Sequence, residues 1–173
     1  MSKSKIFIIV IIGIIAMLIL TGCNNQNNSQ EGETIQTSHE NTEKFSVNYN
    51  GVEVTPGTEF NEDAIEEEAT FSEIPSCAFE GTDKVYTYSG MEITVATIDN
   101  KDTVYSVYFI DDSVETGEGV KIADSKEKMI EKYGENYTIT LETKYTYTSG
   151  NVELSFIIEN DMITSIEYTL KTN

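Results

Sequence analysis

The 173-residue chain has no arginine and no tryptophan, a single histidine, two prolines and two cysteines. Each scarcity excludes something. With no arginine, and only 11 lysines against 30 acidic residues, there is no basic stripe to neutralise phosphates, which argues against a nucleic-acid partner. The same balance argues against electrostatic docking on anionic lipid. A cysteine nucleophile needs a neighbouring base to hold it as thiolate. The one histidine, His39, lies in a polar stretch, and no arginine is available to lower a thiol pKa. Also missing are a Gly-x-Ser-x-Gly elbow, a His-Glu-x-x-His zinc site and a phosphate-cradling loop. No cofactor or metal is therefore expected. Hydrolysis by paired carboxylates, as in glycosidases, stays open because such pairs are invisible in so acidic a chain.

Charge and hydropathy divide the chain into three parts. Met1–Lys5 is a short basic lead, and Ile6–Leu20 is an apolar run broken by one glycine. The run is short for a spanning helix and has signal-peptide proportions. It ends Leu20-Thr21-Gly22-Cys23, which resembles the bacterial lipobox. That resemblance implies a signal peptide over 1–22 and a thioether-linked diacylglycerol, with further fatty acylation such as palmitate, on Cys23. Two or three acyl chains bury enough methylenes for stable anchoring to the cell membrane. An uncleaved N-terminal anchor is the alternative, and either way the remainder lies outside the cytoplasm. Residues 23–44 are rich in Asn, Gln, Ser and Glu, too polar to offset their chain entropy by burial, and read as a tether. From Cys23 onward nine lysines face 30 acidic residues, a formal −21. This is a solvated, mutually repelling surface or one made for cations.

The globular part, 45–173, writes one stretch twice. Lys84-Val-Tyr-Thr-Tyr-Ser-Gly-Met-Glu-Ile-Thr-Val95 returns as Lys144-Tyr-Thr-Tyr-Thr-Ser-Gly-Asn-Val-Glu-Leu-Ser-Phe156. Each copy is a strand, a Ser-Gly turn and a second strand, with a third strand after a polar break. Asn50-Gly51 between Phe45–Tyr49 and Val52–Val54 predicts a type I′ hairpin. Asn61–Glu68 predicts a short acidic helix capped by Asn61, and Ser72–Asp83 reads as irregular. Gly119–Ile122 predicts a strand. Ser125–Tyr133 predicts a helix with Asp124 as cap, Met129, Ile130 and Tyr133 as its apolar face, Ile130 towards the sheet, and Gly134 as terminator. Tyr137–Tyr147 predicts one strand. The expectation is a single α+β domain: an antiparallel sheet of two strand–helix–three-strand repeats, about 45–112 and 117–173, sharing one core.

Gly119–Gly134 resembles the helix-entry motif of the β-lactamase-inhibitor-protein-like fold and of outer-membrane assembly lipoproteins of the SmpA/OmlA type. The tandem copy over Phe45–Leu170 is similar to the two-repeat inhibitor. The whole chain, including Pro75–Gly81, resembles uncharacterised lipoproteins of low-GC Gram-positive bacteria. These resemblances imply binding through one face of a curved sheet, without catalysis. The reading is a membrane-anchored extracytoplasmic binding module with a protein partner. The alternatives are an inhibitor of an extracellular hydrolase and a small envelope enzyme using carboxylates or Cys77.

Candidate contact residues are aromatic. Tyr86 and Tyr88 share a strand face, as do Tyr145 and Tyr147; such stripes either pack into a core or form an exposed aromatic surface. Alternation places Val104, Ser106, Tyr108 and Ile110 on one side of the third strand, and Tyr105, Val107 and Phe109 on the other. Val107, Phe109, Ile166 and Tyr168 are expected inward, leaving Tyr108 and Ser106 on the helix-free face as a candidate interface. Cys77 is expected to be a small buried hydrophobe. Asp111-Asp112 with Glu115 and Glu118, and Glu62-Asp63 with Glu66–Glu68, are dense enough to bring calcium to mind but lack EF-hand spacing.

Overall fold

The computed structural model describes residues 45–172. Cys23, the lipobox and the polar 24–44 segment lie outside them. Among the described residues two antiparallel sheets form. The small one is the hairpin β1 (Val47–Tyr49) and β2 (Val52–Val54). Asn50 and Gly51 turn it with φ of 50° and 83°, the paired positive angles of a type I′ turn. The large sheet contains β3 (Thr70–Pro75), β4 (Thr82–Thr87), β5 (Met91–Ile98), β6 (Lys101–Phe109), β7 (Thr138–Thr140), β8 (Lys144–Ser149), β9 (Val152–Glu159) and β10 (Met162–Leu170). Its order is β3-β4-β5-β6-β10-β9-β8-β7. Two meanders thus meet at their last strands, with Tyr108 opposite Glu167, Val107 opposite Tyr168 and Ser106 opposite Thr169.

The fold is mostly β, which corrects the expected α+β architecture of two strand–helix–three-strand repeats. Among the described residues only one helix longer than a single turn forms, α1 (Lys126–Tyr133). Before the first meander, Asn61 does cap a turn, its side chain accepting from the Asp63 N–H, but the turn is a 3₁₀ piece of three residues, Glu62–Ala64. The reason is charge: an α-helix here would stack Glu62 on Glu66 and Asp63 on Glu67, like-charge pairs that oppose it. Gly119–Ile122 is not a strand either. Its backbone is used locally, Gly119 N–H donating to the Thr116 carbonyl and Thr116 N–H to the Val120 carbonyl, with Gly119 at a φ of 79°.

Three further expectations are corrected. Thr70–Pro75, inside a stretch read partly as irregular, is an edge strand, and a proline at the end of an edge strand removes no needed ladder bond. The expected strand Tyr137–Tyr147 is broken into β7 and β8 by Leu141 and Glu142, both at positive φ. The cap of α1 is Ser125, whose hydroxyl accepts from the Lys128 N–H. Asp124 instead accepts from the Lys121 N–H and pairs with the Lys128 ammonium at 2.7 Å.

The core lies on one face of the large sheet, under α1, the β1–β2 hairpin and the loop between β6 and α1. Val107, Phe109, Ile166 and Tyr168 all point into it and are almost wholly buried. Val104 joins them, contrary to strict alternation. Val95 pairs with Val104 and Thr94 with Ser106, so Tyr105 is an extra residue, and this bulge brings Val104 round to the core face. A matching shift leaves Thr164 unpaired between Ile163 and Ser165 in β10. On α1 the fully buried side chain is Met129; Ile130 and Tyr133 pack against the core partly exposed. The helix is thus rotated relative to the expectation that Ile130 faces the sheet.

Carboxylate Glu67 holds the acidic 62–69 arm in place. It accepts from the Ser89 N–H at 2.8 Å, from the Tyr49 hydroxyl at 2.8 Å and from the Asn50 amide at 3.2 Å. The single Tyr49 hydroxyl proton is shared between Glu67 and the Ser89 carbonyl, which lies 2.6 Å from the phenol oxygen. One side chain therefore ties the arm, the β1–β2 hairpin and the β4–β5 turn together. That turn needs glycine: Gly90 has φ 86°, and a Cβ there would collide with the Ser113 hydroxyl.

Two outcomes follow for stability. Met129→Ala should cost about 2–5 kcal/mol, the range for a buried long apolar chain, and Ile130→Ala only about 1 kcal/mol. Urea melts giving Ile130 the larger loss would reverse the assigned face. For Glu67, the Ser89 N–H first and the Tyr49 hydroxyl second hold the carboxyl below its usual range. Its contribution is complete above the usual glutamate range and is lost as pH falls through the lower folded value. The stability gap between the parent and Glu67→Gln should therefore narrow between pH 7 and pH 3, and a gap independent of pH would refute the bonding scheme.

Candidate functional site

A groove of about 630 Å³ lies between the acidic arm and the open end of the sheet. The arm supplies Glu62, Asp63, Glu67 and Glu68, with Ile65 and Ala69 beneath them. Phe71 of β3 and Lys84 and Tyr86 of β4 form the other wall, and Tyr88 closes the end. The local chemistry follows from pairing register. Phe71 stands opposite Tyr86 and Glu73 opposite Lys84, so these side chains share the core-facing side of the sheet. Phe60 and Phe71 both pack on Tyr86, at 4.7 and 5.2 Å between centroids, and Tyr49 packs on Tyr88 at 5.8 Å.

Electrostatically the groove is one-sided. Four carboxylates face one lysine, and Lys84 is already bound to Asp102 at 2.5 Å. Burial, then the Glu62 carboxylate beside its hydroxyl, push Tyr86 up to about 12. Burial and the Glu62 and Glu67 charges likewise raise Tyr88. Both phenols stay neutral and, being buried, form the floor of the groove, while Phe71 is the ring a ligand reaches. Phe71 is 52% exposed, so the groove has an apolar lip that solvent reaches. An acid rim over aromatic rings suits a cation, which gains from both the carboxylates and the ring quadrupoles. Among the described residues no group of three or more Asp, Glu, His or Cys side chains is placed to hold a metal ion.

The sequence-derived candidates are distributed differently. Tyr86, Tyr88, Tyr145 and Tyr147 are all buried on the core face and present no exposed aromatic surface. Tyr145 and Tyr147 belong to a second aromatic cluster with Tyr133, Tyr137 and Phe156, in which the Tyr147 hydroxyl donates to the Gly134 carbonyl at 2.8 Å and Lys126 lies 4.8 Å from the Tyr145 ring centre. Tyr108 is on the opposite, helix-free face, 40% exposed, in a row between Glu92 of β5 and Glu167 of β10. Ser106 faces the same way but is buried. Burial raises the Glu167 carboxyl against the pull of Lys144. Cys77 is exposed rather than a buried hydrophobe, because it sits on the Ser76–Gly81 loop whose anchor is Phe79, packed edge-on against Tyr105 at 5.3 Å.

Sequence reasoning missed Ile65 and Phe71 as parts of a site. The available signal was the short alternation Phe71, Glu73 against Ser72, Ile74, hidden by the proline that follows.

No protein-family model matches the chain, and no curated protein matches it. Among solved structures, a crystal structure of a DUF4309 family protein (YjgB) from Bacillus subtilis is similar over 51% of this chain and 64% of that one, so less than two thirds of that protein's length is spanned. The identity is 14% and the TM-score 0.32, a likeness too slight to assign a family or an activity.

Proposed function

We propose that the chain is an extracytoplasmic lipoprotein, anchored through Cys23, that binds a partner without chemistry. The observation that carries this reading is the open groove: an apolar lip at Phe71, buried phenol rings below it and carboxylates above, a lining suited to holding a ligand. The titratable groups there are carboxylates, phenols held neutral and a lysine committed to Asp102, so none is presented as an activated nucleophile. No helix among the described residues is long and apolar enough to cross a membrane, so the anchoring rests on the lipobox pattern. The polar composition between Cys23 and Phe45 suits a tether, which would give the domain reach over the membrane surface.

Two measurements test this. Cys23→Ala should abolish fatty-acid labelling and release the protein from the membrane fraction; undiminished label on the variant removes the anchor. A photo-crosslinking amino acid placed at Phe71 in intact cells should trap a discrete partner, while the same probe at Leu141, 86% exposed at the far end of the sheet, should not. Equal trapping at both positions, or none at Phe71, overturns the groove as the binding site.

A further inference from the structure

The groove adjoins a sheet edge that is open. β3 ends the eight-strand order, so one side of it has no strand partner among the described residues, and all six of its residues are exposed. An unpaired edge is a template for another extended chain. At the opposite end β7 has only three residues, a short and therefore blunt edge. β3 is twice as long and carries two exposed apolar side chains, Phe71 and Ile74. Because alternate residues point to opposite faces, Phe71 and Glu73 look into the groove side and Ser72 and Ile74 look away.

On the basis of the groove as binding site, we propose that its occupant is an extended basic peptide segment of a protein partner, added as a ninth strand along β3. Alternate lysine or arginine side chains of that segment lie over Phe71 and among Glu62, Asp63, Glu67 and Glu68, and the intervening apolar side chains lie beside Ile74. Charge decides between occupants. A second copy of this chain would bring Glu73 and the acidic arm against their like, in a molecule with a formal net charge of −19. A basic segment meets the four carboxylates with no competing free cation, since Lys84 is held by Asp102. The edge supplies main-chain affinity and the groove supplies the sequence preference, the division of labour usual for strand addition.

The test uses full-length protein and a short capped peptide alternating lysine and valine, followed by fluorescence anisotropy. Binding should fall about tenfold or more in Glu62→Lys/Glu68→Lys, both exposed positions on the arm, as two attractive charges become repulsive ones. N-methylation of alternate peptide amides, which keeps the charge and removes strand pairing, should weaken binding by a similar factor. Unchanged binding of the N-methylated peptide, or equal binding of a peptide with its lysines grouped at one end, overturns strand addition in favour of plain charge attraction. Failure of every basic peptide, or self-association of the parent lost in Phe71→Ser by sedimentation, overturns the basic-partner assignment. A partner trapped at Phe71 in the crosslinking experiment would meanwhile leave the groove reading standing.

Discussion

The pairing of β6 with β10 is the contact on which everything else rests. Each meander closes on itself through neighbouring strands, with short loops and small entropic cost. Joining them requires residues about sixty positions apart in the chain to align Val107 with Tyr168 and Ser106 with Thr169. That register sets Phe109 against Tyr168, 6.1 Å between ring centres, and gives α1 one continuous floor on which Met129 can be buried. Slip it by one residue and every inward side chain of one meander turns to solvent.

Covering such a sheet is the second constraint. One helix, one hairpin and one loop cannot hide eight strands, and the coverage runs out at β3. There the acidic arm is fixed by Glu67, which has three donors to satisfy it, and by Ile65 buried beneath it. The groove is what remains between an arm pinned by Glu67 and by the buried Ile65 and a strand whose outer edge is bare. The binding surface thus arises from incomplete packing at the margin, while the central strands do the work of stability.

The elements that could be read from sequence are those with local causes. Asn50-Gly51 turned as its residue types demand, and Gly134 ends α1 with positive φ, its N–H donating to the Ile130 carbonyl. The inward set Val107, Phe109, Ile166 and Tyr168 followed from comparing two strands position by position. What escaped has non-local causes. The bulge at Tyr105 depends on how β5 lies beside β6, and it put Val104 on the face that counting by twos denies it. The failure of Glu62–Glu68 to coil into a helix reflects repulsion together with a better offer from Ser89 and Tyr49. β3 is a strand by virtue of β4, since Phe71 and Ile74 alone make a weak pattern. The groove needed the last two of these features, the arm and β3, and was invisible for that reason.

With no tryptophan and ten tyrosines, this protein fills space with phenols where others use indoles and hydrocarbons. Burial is the first cause raising seven of them, among them Tyr133 and Tyr168 beside the Glu118 carboxylate. In the unfolded chain the same hydroxyls ionise near pH 10. A phenol that must stay neutral when folded stabilises fully below that pH and progressively opposes folding above it, by up to about 1.4 kcal/mol per pH unit for each group. The aromatic interior thereby sets an alkaline ceiling on the fold, and several phenols reaching it together make the descent steep.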